Sequence, residues 1–216
     1  MFLPDKPVEV STNVYILQHP FEEMRCLRTA PMLHYGLQAD KCHIIKGKKF
    51  SEEGSPEVAE ILKLPNTLLL YPGPDAIDLA ELPPCGRDLN YNLVILDGTW
   101  AQAKNMYLCN KILSLPKKVQ INHSHKSKYV IRTQPDDAFL STVETAAVAL
   151  SILEQKPEIL QILTKPLEAL CKFQLEHGAV PHQSKTYKIE NGLWTKKLKK
   201  KVIKKMEKEK QSQEND

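Results

Sequence analysis

No stretch of the 216 residues approaches the eighteen or so consecutive apolar positions of a membrane-spanning helix. The opening Met1-Phe2-Leu3-Pro4-Asp5-Lys6 lacks the basic and apolar regions of a secretory signal. Cysteine is sparse: Cys26, Cys42, Cys85, Cys109 and Cys171 are odd in number, widely spaced and include no Cys-x-x-Cys pair. That pattern gives a disulfide framework no basis and predicts free thiols in a reducing compartment, the cytosol or nucleus. Walker, Gly-x-Gly-x-x-Gly and Gly-x-Ser-x-Gly loops are all missing, so the common nucleotide-phosphate and serine-hydrolase chemistries find no support. There is no internal repeat.

What is present suits one folded domain: 42% of the residues are hydrophobic, and the length suffices for a sizeable core. The net charge of +4 is unevenly spread. Residues 195–216 hold nine lysines against Glu207, Glu209, Glu214 and Asp216, a sum of +5 that leaves −1 for the rest. A nearly neutral body therefore carries a basic tail. Such a tail suits a polyanion, whose counterions it displaces, or serves solubility or nuclear import.

Apolar runs alternate with amphipathic stretches, which predicts an α/β domain with a mostly parallel sheet and crossover helices. Strands are expected at residues 14–18, 42–46, 67–71, 91–96, 119–121 and 129–132. The third and fourth are continuous and apolar, as buried parallel strands are. Pro20 stops the first strand, and Pro31 divides the helical pattern of residues 21–37 into two short helices. Ser55-Pro56 predicts a helix start, with serine as cap and proline in the first turn. Another helix follows Asp97 as far as about residue 109. Ser141-x-x-Glu144 is a capping-box pattern ahead of a long apolar helix. Pro157 opens the next, which Pro166 is expected to kink or divide before Gly178 ends it. C-terminal helices and the basic tail complete the chain.

In open α/β sheets ligands bind beyond the carboxyl ends of the strands. Two such ends stand out, Leu70-Tyr71-Pro72-Gly73 and Leu96-Asp97-Gly98-Thr99-Trp100, where proline and glycine admit a ligand close to the backbone. Asp97 either acts there as a general base or caps the following helix. Trp100 stacks on a base or packs, and Thr99 bonds a ligand or supports the turn. His123-x-His125 has no cysteine or carboxylate at a recognised spacing, so no metal site is expected. With Lys117, Lys118, Lys126 and Lys128, that loop reads as a phosphate-facing patch.

Asp97-Gly98-Thr99-Trp100 followed by Ala103-Lys104 resembles the Asp-x-Thr-Trp signature of the DTW-domain family. Other blocks resemble the family in order: Gln18-His19-Pro20-x-Glu22-Glu23, Leu27-Arg28-Thr29, Leu70-Tyr71-Pro72-Gly73, Tyr129-Val130-Ile131-Arg132-x-Gln134-Pro135 and Leu140-Ser141-Thr142-x-Glu144. On this resemblance residues 14–192 form the DTW domain, 1–13 a short extension without the family's cysteine block, and 193–216 a lysine-rich tail. The missing block suggests an alternative start or a fragment.

The resemblance implies a SPOUT-like sheet with a trefoil knot, S-adenosylmethionine as donor and a tRNA uridine as acceptor of its 3-amino-3-carboxypropyl group. A donor with three carbons on sulfur demands positioning, so that the chain and not the methyl faces the uracil nitrogen. The nitrogen must also lose a proton. On this reading Asp97, Thr99 and Trp100 are catalytic. Leu70, Tyr71, Pro72, Gly73, Leu96, Gly98, Ala103, Arg132, Thr142 and Glu144 bind the donor. Arg132 would pair with the donor carboxylate, unless Asp136 or Asp137 takes it. Glu144 would hold the donor amino group, unless the capping box is its whole role. His19, Arg28, Lys104, Lys126 and Lys128, with Lys197, Lys200 and Lys201 of the tail, would contact RNA. Two alternatives stay open: a SPOUT-type RNA methyltransferase, and an RNA-binding remnant without turnover.

Overall fold

A computed structural model describes residues 2–122, 127–131 and 140–195. Among them six strands form one sheet: β1 (Asn13–Gln18), β2 (Cys42–Lys46), β3 (Thr67–Leu70), β4 (Ile77–Asp78), β5 (Asn92–Asp97) and β6 (Lys117–Gln120). Their order is β2-β1-β5-β3-β6-β4, and every pairing is parallel. The helices are α1 (Ala30–Gly36), α2 (Pro56–Lys63), α3 (Trp100–Cys109), α4 (Thr142–Leu153), α5 (Glu158–Glu176) and α6 (Lys185–Glu190).

Successive strand residues face opposite sides of a sheet, and the core obeys this period of two. Val14, Ile16, Leu68, Leu93 and Ile95 pack with Leu33 of α1, Ala146 and Leu150 of α4, and Leu163 of α5. The alternate residues Leu17, Leu69 and Val94 pack with Val58 and Leu62 of α2 and Met106 of α3. The result is three layers, with both faces of the sheet covered, as continuous apolar strands require. By the same parity Gln18 and Asp97 point to the α4 face.

Several expectations need correction. Residues 129–131 form a turn rather than a strand, because their backbone is satisfied elsewhere: Tyr129 N–H donates to the Ser127 hydroxyl, Val130 N–H to the Lys128 carbonyl, and His182 N–H to the Val130 carbonyl. The two-residue β4 takes the outer position instead. Pro166 does not divide α5, which runs unbroken for 19 residues. Its stripe of Ile159, Leu163, Leu167 and Cys171 is buried in the core, and that packing outweighs one missing hydrogen bond. Ser55 sits at the start of α2 but makes no side-chain capping bond. Gly178 ends α5 as expected: at φ +90° it lets Ala179 N–H reach back to the Gln174 carbonyl.

Candidate active site

The carboxyl ends of β3, β5 and β6 open into a cleft of about 630 Å³. Leu70, Tyr71 and Pro72 form one wall, and Gln120, Ile121 and Asn122 another. Leu96, Asp97, Gly98 and Thr99 form the floor, with Trp100 and Ala103 of α3 beside them. Leu140, Ser141, Thr142 and Thr145 at the start of α4, together with Glu22, Leu27, Arg28, Thr29 and Tyr129, close the remaining side. Volume and mixed lining are those of a small-molecule site.

Asp97 is the chemical centre of this cleft. It is 8% exposed. Its Oδ2 accepts from Gln18 Nε2 at 2.8 Å, and its Oδ1 accepts from the Thr142 hydroxyl at 2.6 Å. Gln18 is placed by register, since it lies directly opposite Asp97 in the β1–β5 pair. Thr142 is placed by the first turn of α4. Among the described residues, one donor per oxygen fixes the carboxylate rotamer and leaves each oxygen a second lone pair for a ligand.

The helix after Asp97 is capped by Thr99, not by Asp97. Thr99 Oγ1 accepts from Gln102 N–H at 3.2 Å, and Gln102 Oε1 accepts from Thr99 N–H at 2.7 Å. The alternative of Asp97 as helix cap is thereby removed. Gly98 sits in a crowded place, where a Cβ would lie 3.1 Å from Gln102 Cβ and 3.4 Å from His19 Cβ and its neighbours would have to give by a few tenths of an ångström. Trp100, 45% exposed, is a rim side chain rather than a core one. Tyr71 stacks on Tyr107 with ring centres 4.3 Å apart. Burial, then Tyr107, pushes the Tyr71 hydroxyl above its ordinary value, partly offset by Lys118.

Glu144 lies outside the lining. Its carboxylate accepts from Ser141 N–H and hydroxyl, from the Ser127 hydroxyl and from Lys128 N–H. The capping-box role is the one the geometry shows, and the same bonds tie residues 127–128 to α4. Gly73, His19 and Lys104 also lie outside the lining. His19 is buried and caps the turn Pro20–Glu22. Lys128 pairs with Glu168 at 2.6 Å, and Lys118 with Asp75, so two lysines of the expected phosphate patch already face carboxylates. Arg132, Lys126, Lys197, Lys200 and Lys201, like His123 and His125, lie outside the described residues.

The sequence reading missed Gln18, Glu22, Gln120 and Asn122 as site residues. Gln18 had a signal, its place at the end of a strand, but only the strand order makes it a neighbour of Asp97. Glu22, 5% exposed and paired with Arg25 at 2.9 Å, reaches the cleft from a short turn with no periodic signature.

The aspartate-centred cleft sits on a sequence whose residues 3–175 match the DTW domain family model. The chain belongs to the DTW-domain family. It is 46% identical over 208 residues to tRNA-uridine aminocarboxypropyltransferase 2 of Macaca fascicularis, covering 95% of this chain and 70% of that protein. The protein of the same name from Drosophila melanogaster is 45% identical over 201 residues, covering 93% and 79%. A more distant plant relative, tRNA-uridine aminocarboxypropyltransferase A of Arabidopsis thaliana, is 23% identical over 200 residues, covering 81% and 75%. No solved structure matches. In this DTW domain the signature residues Asp97, Thr99 and Trp100 thus have three separate places: the floor carboxylate, the helix cap and the rim.

Proposed function

We propose that this chain moves the 3-amino-3-carboxypropyl group of S-adenosylmethionine to the imide nitrogen of a tRNA uridine. The observation that carries the reading is the Asp97 carboxylate, held by Gln18 and Thr142 on the floor of a cleft in a DTW-family chain. The names of its animal relatives supply the reaction. Asp97 takes the proton from the uracil nitrogen as that nitrogen attacks the first carbon of the donor chain. A nitrogen–carbon bond forms, the carbon–sulfur bond breaks, and its electron pair stays on sulfur, which leaves as the neutral thioether 5′-methylthioadenosine. The apolar walls, Leu70, Ile95, Leu96, Ala103 and Ile121, suit the adenosine and exclude water. The turn at Gly98 brings the backbone close to the bound ligand. Arg28, exposed at the cleft, meets the polyanion, and the lysine tail beyond residue 195 adds sequence-independent grip on phosphates. Removing residues 195–216 is expected to weaken tRNA binding and flatten its salt dependence; an unchanged salt slope would refute that grip.

The SPOUT-like knot and a cytosolic or nuclear location belong to the same proposal. The parallel sheet and the family membership support the first, and the free thiols suit the second. The test is transfer from S-adenosylmethionine labelled separately in the carboxypropyl chain and in the methyl, with unmodified tRNA. Chain label on uridine is expected. Methyl label would replace the reading with a methyltransferase, and neither label with donor bound would indicate an RNA-binding protein.

A further inference from the structure

Beside the cleft, the carboxyl edge of the sheet carries an exposed aromatic ring and a lysine, each on a segment pinned by a buried polar side chain. Phe21 is 56% exposed although it sits in the tight turn Pro20–Glu22. His19, 6% exposed, fixes that turn from below: its ring Nδ1 accepts from Phe21 N–H at 3.2 Å, and its backbone N–H donates to the Asp97 carbonyl at 2.8 Å. Lys48 Nζ lies 4.4 Å from the centre of the Phe21 ring. The loop that presents Lys48 is equally fixed. Asn110, 3% exposed, donates to the Lys48 carbonyl at 2.9 Å and accepts from Phe50 N–H at 2.6 Å.

These bonds hold in place an apolar ring and a cation whose own contacts do not bury them. The ring is also close to the chemistry. The His19 and Phe21 ring centres are 5.2 Å apart, and His19 Cβ lies 3.4 Å from where a Gly98 Cβ would be. Phe21 therefore stands one side chain outward from the strand end that bears Asp97. Exposed Lys49 follows Lys48 in the chain and exposed Arg28 lines the cleft, whereas Lys46 is already paired with Glu23.

We propose that Phe21 is a stacking platform for an RNA base next to the target uridine, with Lys48 against the adjoining phosphate. The proposal rests on the tRNA reading above. A uridine that enters the cleft leaves its stack, and its neighbour loses a partner face. A fixed aromatic ring replaces that face for any base, so the platform serves without reading sequence. The cation over the ring both polarises the stack and neutralises backbone charge.

The test uses the full chain, an unmodified tRNA transcript and S-adenosylmethionine, with tRNA and donor affinities measured separately. Phe21→Ala is expected to weaken tRNA binding about tenfold or more, the scale of one base–aromatic stack, while donor affinity and thermal unfolding stay unchanged. Phe21→Trp restores binding. Lys48→Ala weakens it less and reduces the salt slope by about one phosphate contact. Wild-type tRNA affinity in Phe21→Ala overturns the platform and leaves the proposed reaction standing. Equal weakening by Phe21→Ala and Phe21→Trp, both folded, also overturns it, because stacking is then not the role. A wild-type chain that binds donor but no tRNA overturns the tRNA reading itself.

Discussion

Helix α4 ends in two acceptor sites at opposite ends of β1, and they differ in what they leave open. At its carboxyl end Glu154 Oε1 accepts from Ser11 N–H at 2.9 Å, from Thr12 N–H at 2.8 Å and from the Thr12 hydroxyl at 2.6 Å. At its amino end Thr142 donates to Asp97, which takes one further bond from Gln18. Three donors crowd one oxygen of Glu154, and the arrangement is a clamp between α4 and β1. Among the described residues Asp97 receives one donor on each oxygen and borders a cleft of about 630 Å³, so lone pairs remain for a ligand there. Similar chemistry thus closes a clamp at one end of the sheet and borders an open cleft at the other.

The sharpest test of that contrast is Asp97→Asn. It keeps the shape and one acceptor oxygen but removes the base, so transfer should fall by about a hundredfold or more while donor affinity changes little. Normal turnover would mean that the two carboxylates do not differ in kind. Gln18→Leu removes one of the two bonds that orient Asp97. A fall in kcat of about tenfold with a near-constant KM is expected, because misplacement of a catalytic group costs rate more than binding. Equal losses in a donor-binding assay would instead make Gln18 a donor contact.

Glu154→Ala should do the reverse. Leaving buried donors without their acceptor costs about 1–3 kcal/mol, read as a lower midpoint in urea unfolding, with kcat intact in the folded fraction. The clamp also predicts a pH effect. Burial, the largest influence on Glu154, raises its carboxyl, yet the bonds from Thr12 and Ser11 together hold it below its ordinary 4.5. A carboxyl depressed by folding stabilises above that value and loses its contribution as pH falls below it. Glu154→Gln should therefore flatten the stability curve below about pH 4.5, and an unaltered acid limb would remove Glu154 from the account.

The smallest expected effect lies at His19. Burial and then Lys48 hold its imidazole below the ordinary 6.5, in keeping with an Nδ1 that accepts a backbone N–H. Because the folded value is depressed, the neutral form stabilises the turn, and that contribution declines as pH drops below about 6.5. His19→Asn keeps an acceptor without the titration. Thermal unfolding from pH 7 to 5 should fall more steeply for the parent than for this variant.

Much of the fold was legible because local rules and tertiary structure agree. β2 spans the expected residues 42–46, and β1, β3 and β5 differ from expectation by about one residue at an end, since continuous apolar runs mark buried parallel strands. The capping box at Ser141 and Glu144 appears as its spacing predicts. The turn at residues 129–131 was not legible, because its apolar, β-branched residues look like a strand until Ser127, Lys128 and His182 are seen to take its backbone groups. Pro166 misled for a related reason: a local breaking signal, worth about 3 kcal/mol, yields to a buried stripe of side chains.

By itself the amino-acid sequence determined the α/β class, the strand-end motif with Asp97, and the asymmetry between a neutral body and a basic tail, because these depend on residue type and short-range spacing. Only the tertiary structure decided what Asp97 does not do, which is cap α3, and which side chains hold it. Gln18 lies 79 positions away and Thr142 45 positions away. They meet Asp97 because β1 lies beside β5 in the sheet and α4 crosses its face, a pairing of distant segments that no local spacing encodes.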